Sequence, residues 1–193
     1  MTQPESNQME KPQLSSFTNT AFLATLVSRS APETEKIAGE LAASLPANCV
    51  VALIGDLGAG KTCFARGIIR AKGVPGHIPI TSPTFVIVNA YDTENPVFHF
   101  DWYRISDSLE LDAIGYRDFL EQGGICIVEW PQNAPDAIPK ETLFVHIHGL
   151  GESRTIDFYT TLPEPALTEI RSVLTQIVSR LLDVTDINQH TPP

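Results

Sequence analysis

Two stretches of the chain have no polar position on either face. Cys49–Ile54 and Ile125–Val128, the second closed by Glu129, are continuous apolar runs of strand length, the pattern of strands covered on both sides. Ala21–Val27 is a third apolar run, and it reads as another buried strand. Between Ala21–Val27 and Cys49–Ile54 the period lengthens. Ser30 with Glu33 three residues on makes a capping box, and Ile37, Leu41 and Leu45 then recur every four residues until Pro46. A helix is predicted there, and a second from Lys61 to about Lys72, where Gly73 can cap it.

Further along, Thr84–Tyr91 and Val97–Asp101 read as strands joined across Asp92–Pro96. Asp107 and Glu110 form a second capping pair that opens a helical stretch, broken at Gly115 and ended by Gly123 and Gly124. Trp130-Pro131 halts the strand at 125–129, and Leu143–His148 and Thr155–Tyr159 turn around Gly149–Arg154. After Pro163 and Pro165 comes a helix whose seam, Leu167, Ile170, Leu174, Ile177, Leu181 and Val184, is spaced 3-4-3-4-3. Its predicted place is folded back on the domain. Strands alternate with helices early and pair as hairpins late. The expected fold is α/β, a P-loop NTPase-like mixed sheet flanked by helices, with an extra C-terminal helix. The expected division is a disordered tail over 1–16, one domain over 17–162, the helix over 163–187 and a short tail over 188–193.

Composition narrows the function. A chain of 193 residues with 42% apolar content suits one globular domain, and no run is long enough for a membrane span. The formal charge of −10 disfavours a protein that grips nucleic acid unaided. Arg66, Arg70 and Lys72 form the nearest thing to a basic patch, read as a solvated helix face. Cys49, Cys63 and Cys126 are an odd set without metal-ligand spacing, which suits small apolar fillers in a cytoplasmic protein. No metal cluster is expected, and His146 and His148, alternating along a strand, read as structural or exposed.

The chemistry is carried by Gly55-Asp56-Leu57-Gly58-Ala59-Gly60-Lys61-Thr62, a full Walker A match between a strand and a helix. Glycines let backbone N–H groups wrap a polyphosphate, and the helix N-terminus adds partial positive charge. Lys61 would reach the outer phosphates and the Thr62 hydroxyl would ligate Mg²⁺. Such a site needs a carboxylate at a neighbouring strand end, and Glu129 supplies one. Asp101, also at a strand end, is a candidate for positioning water or completing the metal shell. Thr84 sits where switch segments place a hydroxyl near a γ-phosphate. The absence of an Asn-Lys-x-Asp motif favours ATP over GTP. An ATPase, a nucleotide-gated binding module and a small-molecule kinase are the readings these residues allow.

Four blocks in order, Gly55 to Thr62, Ser82-Pro83-Thr84-Phe85, His99-x-Asp101-x-Tyr103-Arg104 and Glu129-Trp130-Pro131, resemble the bacterial TsaE (YjeE) family. The resemblance spans about Ala21 to Tyr159. It implies a Mg²⁺-dependent ATPase, slow alone, that acts with a TsaB–TsaD pair in placing threonylcarbamoyl on a tRNA adenosine and meets tRNA only through those partners. It implies Asp101 and Glu129 as catalytic residues and Thr62 and Glu129 as the metal site. Nucleotide contacts are implied at Asp56, Leu57, Gly58, Ala59, Gly60, Lys61, Thr62 and Cys63. Further contacts follow at Ala31, Thr84, Trp130 and Arg154.

Overall fold

The computed structural model describes residues 16, 17, 19–149 and 151–189, with side chains to Leu182 in the last helix. Most of the tail expected over 1–16, the last residues of the tail expected over 188–193, and the side chain of Val184 lie outside the described residues.

Seven strands form one sheet: β1 (Ala21–Ser28), β2 (Cys49–Ile54), β3 (Val88–Tyr91), β4 (Val97–Asp101), β5 (Ile125–Glu129), β6 (Thr142–His148) and β7 (Arg154–Thr160). Their order is β1-β7-β6-β2-β5-β4-β3. The middle, β6-β2-β5-β4, is parallel, and the antiparallel pairs lie at the two ends. The sheet is therefore mixed, as expected. The two all-apolar runs became β2 and β5, neighbours at its centre and buried at every position.

Helices α1 (Ala31–Ala42), α2 (Lys61–Ala71) and α5 (Ala166–Gln189) lie on one face, with α3 (Ser108–Ala113) and α4 (Tyr116–Glu121) on the other. Ser30 Oγ accepts the Glu33 N–H at 3.3 Å and starts α1. The Glu33 carboxylate reaches back one residue further than a standard box, to the Arg29 N–H at 2.6 Å. Ile37 and Leu41 are fully buried, and Leu45 nearly so. Helix α5 sets Ile170, Leu174 and Ile177 into the same core, with Leu181 partly buried beside them. The 3-4 seam thus faces α1 and β1.

Three expectations need correction. β1 is an edge strand bonded only to β7 among the described residues, and Phe22 and Val27 are 57% and 49% exposed. The predicted strand over 84–91 begins only at Val88. Before it, the amides of Val86 and Ile87 both donate to the Pro83 carbonyl, at 3.1 and 2.7 Å, closing a turn that leaves Phe85 85% exposed. Two of the three basic-patch cations do more than face solvent. Arg66 bonds Glu35 on α1 at 2.6 Å, and Arg70 donates to the carbonyls of Val74, Pro75, Gly76 and Ile78. These cations tie α2 to α1 and to the loop that follows it.

Candidate functional site

Strand alternation decides which side chains meet. On β4, Val97, His99 and Asp101 point to the α2 face, and in register beside them on β5 stand Ile125, Ile127 and Glu129. Both strands run parallel to β2, so the two carboxylates arrive together at the sheet edge from which the P-loop leaves. Two glycines make that loop possible. Gly55 has φ +149°, and a Cβ on it would lie 2.3 Å from the Ile147 carbonyl oxygen. Gly60 takes φ +105° as the residue that starts α2. The first turn of α2 thereby opens onto the cleft with its N–H groups forward.

Lys61 and Thr62 occupy that turn. Lys61 as a residue is 4% exposed, and its ammonium donates to the carbonyls of Gly55 and Asp56 at 2.7 and 2.8 Å. It also lies 3.8 Å from the centroid of the Trp130 ring. Burial pushes this lysine below its ordinary pKa range, and the Glu129, Asp101 and Asp56 carboxylates oppose that shift. Thr62 Oγ1 stands 2.8 and 3.1 Å from the two Glu129 carboxylate oxygens. From behind, fully buried His99 places Nε2 2.9 Å from Glu129 Oε1. A carboxylate can only accept, so His99 Nε2 carries the proton, and its buried Nδ1 has no partner among the described residues.

Asp101 is held separately. The Tyr103 N–H reaches its Oδ1 at 2.9 Å, and Thr84 Oγ1 donates to Oδ2 at 2.6 Å. Ser82 Oγ also donates to Oδ2. The three donors aim the carboxylate at the cleft rather than at the sheet.

A cleft of about 330 Å³ collects these groups. It is lined by Lys61, Thr62, Thr84, Asp101, Glu129 and Trp130 together with Leu57, Gly58, Gly60 and Cys63 of the loop and helix. Ser82 and Tyr103 line it too, and neither was assigned a role from sequence. Beside it lies a second cleft of about 320 Å³ that shares Gly60 and Cys63. Ala31 and Arg154 line this one, with Ser30, Pro32, Thr34 and Glu152. Arg154 stretches along the loop, donating Nε–H to the Ala59 carbonyl at 2.8 Å and reaching Gly58 at 3.3 Å. Cys63 donates its thiol to the Ala31 carbonyl at 3.3 Å. Burial raises the thiol's pKa, which fits packing rather than nucleophilic chemistry. Cys49 and Cys126 are buried fillers, their thiols pushed up to about 12.

Asp56 and Ala59 do not line either cleft. They shape the loop instead, with the Ala59 N–H donating to the Asp56 carbonyl at 3.1 Å. His99 is the functional neighbour that sequence reading left unassigned. Its signals were its place in the His99-x-Asp101 block and its position two residues before Asp101 on the same strand face.

A glycine-wrapped helix N-terminus with lysine, threonine and a strand-end carboxylate defines a P-loop protein built on a mixed α/β sheet. A family model described as threonylcarbamoyl adenosine biosynthesis protein TsaE matches residues 28–156, and the chain belongs to that family. A Haemophilus influenzae relative named tRNA threonylcarbamoyladenosine biosynthesis protein TsaE is 36% identical over 109 residues, covering 56% of this chain and 68% of the relative. A Bacillus subtilis protein of the same name is 37% identical over 128 residues, covering 65% of this chain and 78% of its own length. Among solved structures, the crystal structure of Bacillus subtilis YdiB superposes with a TM-score of 0.65 at 27% identity, covering 81% of this chain and 97% of that one. No helix among the described residues is long and apolar enough to cross a membrane.

Proposed function

We propose that the cleft binds Mg·ATP and hydrolyses it in support of tRNA threonylcarbamoyladenosine formation, with TsaB and TsaD as partners in the cytoplasm. The observation that carries this reading is the contact between Thr62 Oγ1 and the Glu129 carboxylate at the head of the P-loop helix. A hydroxyl and a carboxylate brought together there are the oxygen ligands that a hard cation takes. Bound Mg²⁺ would supply charge neutralisation on the polyphosphate. Glu129 keeps its orientation through His99, and Thr62 needs only to rotate its hydrogen away to offer a lone pair.

Lys61 now satisfies itself on loop carbonyls, and those bonds are replaced by phosphate oxygens when nucleotide enters. Asp101, fixed by three donors and facing the cleft, accepts a hydrogen bond from the attacking water and aligns it. Ala31 and Arg154 in the adjoining cleft meet the nucleoside end, since that cleft continues from the P-loop through Gly60 and Cys63. The acidic chain leaves the tRNA to its partners.

ATPase activity measured on the chain alone and with TsaB–TsaD tests this. Slow turnover alone that rises with the partners is expected. ATP binding without turnover under both conditions would make the chain a nucleotide-gated module, and phosphate transfer to a metabolite would make it a kinase.

A further inference from the structure

Behind the P-loop, on the sheet face opposite α1, α2 and α5, three side chains converge that the nucleotide site does not use. His146 and His148 stand two apart on β6 and so share a face. Antiparallel pairing with β7 sets Asp157 directly opposite His146. The imidazole rings stack, with centroids 4.9 Å apart and planes at 28°. His148 Nε2 lies 2.9 Å from Asp157 Oδ2. One ligand atom from each residue falls within 4.8 Å of the others. We propose that His146, His148 and Asp157 bind a divalent transition cation of the Zn²⁺ class.

The chemistry of the donors selects the cation. Two imidazole nitrogens and one carboxylate oxygen suit Zn²⁺ and its neighbours, whereas Mg²⁺ asks for an all-oxygen shell. Zn²⁺ takes such ligands at about 2.0–2.2 Å, so tetrahedral ligand atoms lie roughly 3.4 Å apart. The present separations, 2.9 Å between His148 Nε2 and Asp157 Oδ2 and none above 4.8 Å, bracket that value. The outer partner of a ligand set is also there. Thr25, paired with Asp157 across β1 and β7, donates to Asp157 Oδ1 at 2.6 Å and leaves Oδ2 to the cation. The His148 side chain is 47% exposed, so the cation has an entry path and room for a water ligand.

This site is distinct from the one at Thr62 and Glu129, which lies on the α2 face. It still touches the P-loop's foundation. His146 is in register with Ile54, the residue before Gly55, and the Ile147 carbonyl is what excludes a Cβ at Gly55. A cation on His146 and His148 would brace the end of β6 on which the loop turns.

Calorimetric titration of ZnCl₂ into the full-length, nucleotide-free chain, with MgCl₂ as control, tests the site alongside thermal melts. The expected result is one equivalent of Zn²⁺ at micromolar affinity or better. A rise in melting temperature with Zn²⁺ and not with Mg²⁺ should accompany it. His148→Gln and Asp157→Asn, both conservative and at partly exposed positions, should each weaken Zn²⁺ binding about tenfold or more. No saturable binding by the unmodified chain, or binding that both variants retain, overturns the proposal and leaves only a His148–Asp157 surface pair.

Discussion

The Lys61 ammonium lies over the Trp130 ring at 3.8 Å while both of its carbonyl partners belong to the loop it would have to leave to meet a phosphate. Trp130 holds this place with φ +61°, an uncommon conformation for a bulky residue, set where β5 gives way to Pro131. The geometry makes the ring a reporter. Of the two tryptophans, Trp102 is fully buried on the other face of the sheet, so a fluorescence change on nucleotide binding belongs to Trp130. ATP should alter the intrinsic emission of the native chain and leave that of Trp130→Phe nearly constant. Lys61→Ala should weaken ATP binding by at least about tenfold, because charge-assisted bonds contribute about 1.5–3 kcal/mol. Equal calorimetric affinities for Lys61→Ala and the native chain would move the nucleotide elsewhere.

The two carboxylates make a different pair of predictions. Glu129→Gln keeps the hydrogen-bonding shape but gives a hard cation a poorer ligand, so Mg²⁺-dependent turnover should fall by about tenfold or more. Asp101→Asn should spare ATP affinity and lower turnover, since the role proposed for Asp101 is to align the attacking water and not to hold the phosphates. Wild-type hydrolysis by both variants would remove the roles assigned to them.

Ser82 and Thr84 extend this. Both hydroxyls donate to the same Asp101 oxygen, so removing one leaves the other in place. Ser82→Ala and Thr84→Ala should each reduce turnover modestly, and the double variant by more than the product of the two. A double variant whose loss equals that product would mean the hydroxyls do not act together on Asp101.

What the sequence made legible here was the local chemistry. The Walker A spacing, the strand-end Glu129 and the helix caps at Ser30 and Asp107 are each written within a few residues. The misses have different physical causes. His99 supports Glu129 from thirty residues away, and nothing in its neighbourhood marks it as a hydrogen-bond donor to a site carboxylate. The stretch from Thr84 to Ile87 carries strand-like residues, yet one carbonyl, that of Pro83, captures two amides and makes a turn. The apolar run of β1 could not reveal that it would lie at an edge, because composition does not say how many neighbours a strand will have.

Gly67 supplies a test in which two effects compete. It lies inside α2, where alanine is favoured over glycine by about 1 kcal/mol on propensity alone. A Cβ there would sit 2.2 Å from the Glu35 carbonyl oxygen and 2.7 Å from the Ala38 Cβ of α1. Neither neighbour is the end of a flexible chain, so the helices must part. Overpacking of this kind costs about 1–3 kcal/mol, and the contacts are close enough to put the cost at the upper end. Gly67→Ala should lower the melting temperature by roughly 2–8 °C. A variant that melts at or above the native temperature would mean that α1 and α2 can separate freely.

The last prediction concerns α5. Ile170, Leu174 and Ile177 are at most 2% exposed, and Arg180 donates to Glu40 of α1 at 3.1 Å. Burying three such side chains stabilises by about 1.5–3 kcal/mol each, an upper estimate that the ordering entropy of the helix reduces. Truncation after Pro163 retains the buried Leu162 and removes only the helix. It should lower the melting temperature by roughly 5–15 °C. Leu174→Ala alone should cost about 2–5 kcal/mol, since the cavity would open between α5 and the core. ATP affinity should be unchanged in both, because neither nucleotide-side cleft has a wall from α5. Unchanged melting of the truncated chain together with lost association with TsaB–TsaD would make the helix a partner element. In that case the contact with α1 and β1 would be too weak to hold it against the domain.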